Sequence, residues 1–418
     1  MVVYKFGGGI LKDAEGVRQI VKIVSRVKEE IVIVVSAFGK TTNAFEKVLG
    51  EWFAGNSNYE KSLEFLFQNH IQIASKLFPA GSDTIDTLNQ SFAKLRDYLL
   101  TEQKRDFDYE YDQIVSYGEI WSTLIVAGYL LQSSFDSEWV DIRNCLITDD
   151  NYRDANILWG ESNARVCRRF DSGRRQIYVT QGFIGGTAAG HTTTLGREGS
   201  DYTAAVLANM LDTEKVIIWK DVPGILNADP KWLNGTVKLD ELSYKEAVEM
   251  TFSGAKVIHP KTIKPLYNKN IPLFVRCFIN PDDLGTLVTS TVRASLDVPV
   301  FVKKEKQMLL SVLPRDFSFV MGDNLGMIFH LFMIHKIKVN LVQASAVSIN
   351  VCVDDERGKI EKLVEELGRD YRILYNEDVE ILTIMRHTRE AVAKVLSGRE
   401  ILLEQKTRRV VRYVVRSI

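Results

Sequence analysis

Little in this 418-residue chain points to a metal, a disulfide framework or a charged polymer as partner. The four cysteines, Cys145, Cys167, Cys277 and Cys352, are scattered and include no CxxC pair. Such usage fits buried thiols in a reducing compartment and supplies neither a disulfide scaffold nor a thiolate metal site. The six histidines show no ligand spacing. The 53 Lys and Arg almost cancel the 54 Asp and Glu, for a net charge of −1, so no surplus of one sign draws nucleic acid or an anionic membrane. Apolar runs such as Leu124–Leu131 are too short to span a bilayer. No low-complexity stretch and no leader pattern stands out. What is left is ordinary globular composition, 45% apolar and 26% charged, over a length that calls for more than one domain. The expectation is a soluble cytoplasmic protein.

The hydrophobic pattern then sets the plan. Val2–Phe6 reads as a strand, Asp13 as the cap of a helix carrying Val17, Ile20, Val21, Val24 and Val27, and Ile31–Val35 as a strand buried on both faces. Strand, helix, strand is a βαβ unit and predicts an α/β protein. From about 51 to 110 glycine becomes rare, and Leu63, Leu66, Phe67, Ile71, Leu95, Tyr98 and Leu99 recur at helical spacing, as in a helical insertion. The α/β pattern resumes with a helix over 112–131, strands over 139–142 and 146–148, a helix over 156–170 and a strand over 176–180. A helix over 202–211, a strand over 215–219, a helix over 244–250 and a strand over 271–276 follow. Near 290–299 the style changes to βαββαβ, a ferredoxin-like plan, and a second such unit starts at Val379 and stops one helix and one strand short.

Chemistry concentrates in the turns. Lys5 stands where a central strand runs into Gly7, Gly8 and Gly9; glycine lets backbone N–H groups approach an anion, and the lysine adds a point charge. Ser36 and Thr42 flank Gly39-Lys40-Thr41, which is no P-loop because Val34 stands where the earlier glycine is required; they offer hydroxyls to a substrate or serve as turn and cap residues. Glu119 sits in the first turn of a predicted helix, where the dipole alone would favour it. Thr180–Gly186 and Thr192–Arg197 are rich in glycine and hydroxyls, more so than a routine loop. Arg197 offers a planar fork to a carboxylate, and Ser200-Asp201 can cap the next helix. Lys220, Asp221, Asp229, Lys231 and Lys256 follow, and an acid for a sugar hydroxyl with two lysines for phosphates would make a nucleotide site, though any one alone says little. His259, before Pro260, reads as a core or cap histidine.

Taken together these segments resemble one family, the aspartate kinases of the amino-acid kinase superfamily. The resemblance rests on Lys5-Phe6-Gly7-Gly8, Val115-Ser116-Tyr117-Gly118-Glu119, Thr180–Gly185, Thr192–Arg197, Gly199-Ser200-Asp201, Asp221–Ile225, Asp229-Pro230 and Gly254–Val257, all in the family's order. It implies a three-layer amino-acid kinase fold with a mainly parallel sheet over 1–295, with the 51–110 insertion. A regulatory ACT region follows over 296–418, one full module about 306–377 and an incomplete one about 378–418. It implies transfer of the ATP γ-phosphoryl to the side chain of L-aspartate, with Mg²⁺ carried mainly on the nucleotide phosphates. By the same resemblance Lys5 and Asp201 are catalytic, and Ser36, Thr42, Glu119, Arg197 and Ser200 bind aspartate. Lys5, Gly7, Gly8, Gly9, Lys220, Asp221, Leu226, Asp229, Lys231 and Lys256 face the nucleotide, and no residue is a metal ligand. A homodimer through the ACT region and an amino-acid effector, lysine or threonine, are implied as well. Asn340 and Gln343 are expected to face the effector pocket.

The chain departs from the family pattern at Gly9-Ile10, Phe38, Glu198, Lys220 and Leu226, and at Lys338, Asn340 and Ala346 in the C-terminal part. Two other readings compete: a kinase of another acid, such as N-acetylglutamate, and a catalytically weak relative that senses an amino acid. With no dehydrogenase segment after the ACT region, a single activity is expected.

Overall fold

A computed structural model describes residues 1–101, 104–171, 173–255, 258–292, 298–316, 319–320 and 323–418. The chain divides into two compact units. One comprises Met1–Ile225, Lys238–Val248 and Val257–Ser295; the other comprises Leu226–Val237, Glu249–Lys256 and Leu296–Ile418.

The first unit begins β1 (Val2–Phe6), α1 (Ala14–Val24), β2 (Ile31–Val35), α2 (Thr41–Phe53), α3 (Asn58–Ser75), α4 (Asp83–Thr101), α5 (Phe107–Val115) and α6 (Tyr117–Gln132). It continues β3 (Ser137–Val140), β4 (Ile147–Thr148), α7 (Trp159–Arg169), β5 (Ile177–Gln181), β6 (Ile184–Thr187), β7 (Thr192–Thr194), α8 (Gly199–Met210) and β8 (Val216–Lys220). After β9 (Glu241–Ser243) and α9 (Tyr244–Phe252) come α10 (Pro260–Lys269), β10 (Leu273–Cys277) and β11 (Thr286–Thr289). Eight strands form one sheet in the order β3-β5-β2-β1-β8-β10-β11-β9. All neighbours are parallel except β10 and β11. Every residue of β1, β2 and β5 is buried, as a central parallel sheet covered on both faces requires.

Connection directions decide which face each helix covers. The chain steps one way from β1 to β2 to β3, then reverses through β5 and β8 to β10. Right-handed crossovers therefore put α1 and α6 on one face and α7, α8 and α10 on the other. The packing of α1 on α6, and of α7 and α10 on α8, agrees. Neighbouring strands β1 and β8 are left by connections that run in opposite directions, so a crevice opens beyond their carboxyl ends, where Lys5, the glycines and Lys220 stand.

Several elements differ from expectation for local reasons. The segment read as one helix over 112–131 starts at Phe107, where Asp106 caps α5 by accepting from Asp108 N and Tyr109 N, and α6 begins anew at Tyr117. The stretch 107–132 is long and apolar enough to cross a bilayer, against the expectation that no run would be; 72% of its most apolar window is buried within the protein, as in a core helix. Helix α8 starts at Gly199, so Ser200 and Asp201 occupy its first turn and do not cap it; Glu198 holds the cap position at φ 55° without a side-chain cap bond. The glycine and threonine stretch forms a small sheet, β4-β6-β7.

In the second unit one sheet runs β13-β14-β12-β15-β17-β16. Its strands are β12 (Val300–Pro314), β13 (Val339–Ala344), β14 (Ile349–Asp354), β15 (Tyr371–Met385), β16 (Arg399–Lys406) and β17 (Val410–Ser417), with helices α11 (Asp323–Ile334), α12 (Arg357–Leu367) and α13 (Arg389–Leu396). Strands β12 and β15 are each 15 residues long and antiparallel to each other, with a register break between Lys304 and Gln307. Their inner halves, Gln307–Pro314 and Tyr371–Val379, complete a βαββαβ unit with β13 and β14. Their outer halves, Val300–Lys304 and Ile381–Met385, pair beside β17 and β16. Val300–Lys304 thus fills the fourth-strand position that the second repeat lacks after Val379. Ala228, Trp232 and Leu233 pack on the core of that repeat, against residues that include Phe301, Leu382 and Val395.

Asn340 is tied into the fold of this unit. It is 8% exposed, donates to Gln307 Oε1 at 2.7 Å and Asp354 Oδ1 at 2.9 Å, and accepts from Lys304 Nζ at 2.7 Å. Lys304 also pairs with Asp354 at 2.6 Å. A buried amide satisfied on both ends is a specifying polar network. Gln343 is exposed.

Candidate active site

Four turns beyond the carboxyl ends of parallel strands meet over the switch point: Gly7–Gly9 after β1, Ser36–Gly39 after β2, the turn after β5 and the end of β8 at Lys220. They enclose a cleft of about 570 Å³ together with the first turn of α8 and the start of α6. Lys5, Gly8, Gly9, Ser36, Thr42, Glu119, Arg197, Ser200, Asp201 and Lys220 all line it, so ten residues from five segments of sequence converge.

The first two turns fit because of glycine. Gly39 N donates to Gly8 O at 3.1 Å and to Leu11 O at 2.8 Å. A Cβ on Gly8 would lie 2.5 Å from the Ala37 carbonyl oxygen, so no other residue lets these backbones close up. Ser122 Oγ donates to Ser36 O at 2.9 Å and ties the second turn to α6. The first turn of α8, Gly199–Asp201, also lines the cleft, and a helix N-terminus favours anions.

Two buried carboxyls of the cleft differ in their surroundings. Lys5 Nζ lies 2.6 Å from Asp201 Oδ1, and Lys220 Nζ lies 3.7 Å from Asp201 Oδ2. Burial pushes the Asp201 carboxyl up, but the two lysine charges outweigh it and hold the group below the ordinary carboxylate range. One carboxylate thus positions two lysines at the point where β1 and β8 end. Glu119 is different. It is 3% exposed, its Oε2 has no hydrogen-bond partner, and burial pushes its pKa up to about 8 despite N–H groups of its own backbone and of Ala37. An unpaired buried carboxyl of this kind is a ready site for a cation. Arg197 is exposed and has no ion-pair partner among the described residues.

The lining of this cleft does not include the other expected residues. Gly7 does not line the cleft; its carbonyl accepts from Ile10 N and Leu11 N, each at 3.2 Å, which shapes the turn. Asp221 is exposed just past β8. Leu226, Asp229 and Lys231 belong to the second unit, and Lys256 lies outside the described residues. His259 caps α10, its ring accepting from Lys261 N. Two cleft residues carry no signal in a single sequence, Tyr111 and Arg153, and a third, Phe183, lies in the Thr180–Gly186 stretch already singled out. Tyr111 reads as core; Arg153 and Phe183 both have left-handed backbones, φ 69° and 70°.

The family model described as "Amino acid kinase family" matches residues 1–277. Lysine-sensitive aspartokinase 3 of Escherichia coli (strain K12) is 30% identical over 363 residues, covering 85% of this chain and 78% of the relative. A bifunctional aspartokinase/homoserine dehydrogenase 1 of Zea mays is 32% identical over 298 residues, and there the chain spans 68% of its own length and 32% of the relative's. Among solved structures, E. coli aspartokinase III in complex with aspartate and ADP superposes with a TM-score of 0.82 at 27% identity, covering 99% of this chain and 96% of that one. A paired-lysine cleft at the switch point of a parallel sheet and these matches lead to one placement: the chain belongs to the amino acid kinase family, among its aspartokinases.

Proposed function

We propose that the chain transfers the γ-phosphoryl of ATP to the side-chain carboxylate of L-aspartate, giving 4-phospho-L-aspartate, the step that opens lysine, threonine and methionine biosynthesis. The observation that carries this reading is the meeting of Lys5, Asp201 and Lys220 with Glu119, Arg197 and Ser200 in one cleft. The similar E. coli aspartokinase III structure contains aspartate and ADP, which supports the pairing of substrates.

The chemistry asks for little beyond position and charge. A carboxylate acceptor is ionised at neutral pH and needs no general base. The barrier is repulsion between that carboxylate and the phosphates. Lys5 stabilises the transferring phosphoryl, and Lys220 and the N–H groups of the Gly8, Gly9 and α8 turns spread the same charge. Asp201 holds both lysines in place. Arg197 takes the α-carboxylate, Glu119 the ammonium, and Ser36, Thr42 and Ser200 donate hydroxyl contacts. Asp221, Leu226, Asp229, Lys231 and Lys256 are assigned to the nucleotide. Among the described residues no group of three or more His, Cys, Asp or Glu side chains could hold a metal; Mg²⁺ would sit on phosphate oxygens and water.

The remaining assignments follow the same reading: a catalytic domain over 1–295, an effector-sensing ACT region over 296–418, a homodimer through that region, and a cytoplasmic location. The name of the lysine-sensitive relative makes lysine the first effector to test, with threonine second. The experiment is ADP release from MgATP with L-aspartate or N-acetylglutamate as acceptor. Release with aspartate alone is expected; release with N-acetylglutamate alone, or with neither, overturns the proposal.

A further inference from the structure

Arg153 sits in the wall of the cleft at φ 69°, a backbone region that disfavours every residue with a Cβ and persists where surroundings impose it, often at ligand sites. The surroundings are on view. Arg153 N donates to Asp112 Oδ2 at 3.0 Å. Asp112 is fully buried and also accepts from Thr194 N at 2.8 Å and Thr194 Oγ1 at 2.7 Å. Ala155 N donates to Thr194 O at 2.9 Å. The loop is therefore pinned to β7, directly before the Gly196-Arg197 turn. It also touches that turn: a Cβ on Gly196 would stand 2.5 Å from Asp154 Oδ1 and 3.3 Å from Arg153 O. The backbone of Arg153 thus packs against Gly196, the residue before Arg197.

The side chain is held for use. Its guanidinium lies 4.5 Å over the ring of Tyr111, whose hydroxyl donates to Glu46 at 2.9 Å. Nη1 donates to Asp108 at 2.9 Å in a pair whose two side chains are 46% and 56% exposed. An exposed pair of this kind is weak, and it occupies one of five N–H donors. Of the cleft's cations Lys5 and Lys220 face Asp201, which leaves the guanidiniums of Arg197 and Arg153. An acidic amino acid that delivers its side-chain carboxylate to Lys5 has these two for its α-carboxylate.

We propose that Arg153 is a second binding residue for the α-carboxylate of the acceptor, acting with Arg197 and selecting acceptors in which that carboxylate is free. This rests on the aspartate kinase reading above. Arg153→Gly suits the left-handed backbone, so the fold should hold, which a thermal melt checks. Its KM for L-aspartate should rise about tenfold, the scale of one charge-assisted contact, with kcat and the KM for ATP within twofold of wild type. The α-amide of L-aspartate, used as a competitive inhibitor, should bind wild type and variant equally. An unchanged KM for aspartate, or an equal loss for the α-amide, overturns the proposal. Arg153→Gln, which removes the charge and keeps the Cβ, gives the same test should the glycine variant fail to fold. Wild-type protein that turns over no aspartate would sink the function instead, and calorimetric binding of aspartate to wild type and variant would still decide the role of Arg153.

Discussion

Glu119 should make aspartate binding expel a proton. The carboxyl is buried, half unpartnered and pushed up to about 8, so about nine molecules in ten carry it neutral at pH 7. An ammonium placed against it favours the ionised form, and the proton must leave. The apparent affinity for aspartate should then improve roughly ninefold from pH 6 to pH 7, about fivefold more to pH 8, and level off above that. KM for aspartate against pH, at saturating MgATP, reads this directly. Calorimetry at pH 7 in two buffers of different ionisation enthalpy should find close to one proton released per aspartate bound. Glu119→Gln should abolish both effects. The same shift has a stability consequence of fixed sign. A carboxyl whose pKa is raised on folding favours the folded state fully below its ordinary value of 4.5, and that contribution is lost as pH rises toward 8. Glu119→Gln should therefore melt higher than wild type at pH 8, by on the order of 4 kcal/mol, with the gap closing toward pH 4. A KM for aspartate that is flat from pH 6 to 8 with no proton released would refute the ammonium role.

Lys5→Ala should lower kcat by roughly a hundredfold or more in a folded protein, the scale of losing one charge stabiliser in a water-poor site; a near-normal kcat in a steady-state assay would remove Lys5 from the mechanism. Arg197→Lys should raise the KM for aspartate far more than that for ATP, because an ammonium cannot reproduce a bidentate clamp; equal effects on both would count against it. Asn340→Ala should destabilise the second unit by about 1–3 kcal/mol, since it takes the donor from buried Gln307 Oε1 and an acceptor from Lys304, and urea unfolding followed through that unit measures it. An unperturbed unfolding midpoint, with inhibition by lysine or threonine weakened, would mean that Asn340 serves an effector more than the fold.

Patterning made the alternation of buried strands and amphipathic helices legible, because a parallel strand needs a continuous apolar run and a capped helix needs its period. The glycine turns were legible as well, since few residues let two backbones meet as those of Gly8 and Ala37 do. The sequence alone also determined which turns carry charge: Lys5, Arg197, Asp201 and Lys220 could be picked out as chemistry-bearing before any was placed in space. Tertiary structure decided the rest. The opposite directions in which the chain leaves neighbouring strands β1 and β8 brought those turns to one crevice. The depth of Glu119, and with it the protonation of its carboxyl, depends on α6 being covered by elements far away in the chain. Arg153 entered the cleft through a backbone turn that Asp112 and Thr194 impose from 41 residues before and after it. The second repeat found its missing strand in Val300–Lys304, ahead of the first. Local rules act over a few residues, whereas these features are set by partners that a chain meets only once it has folded.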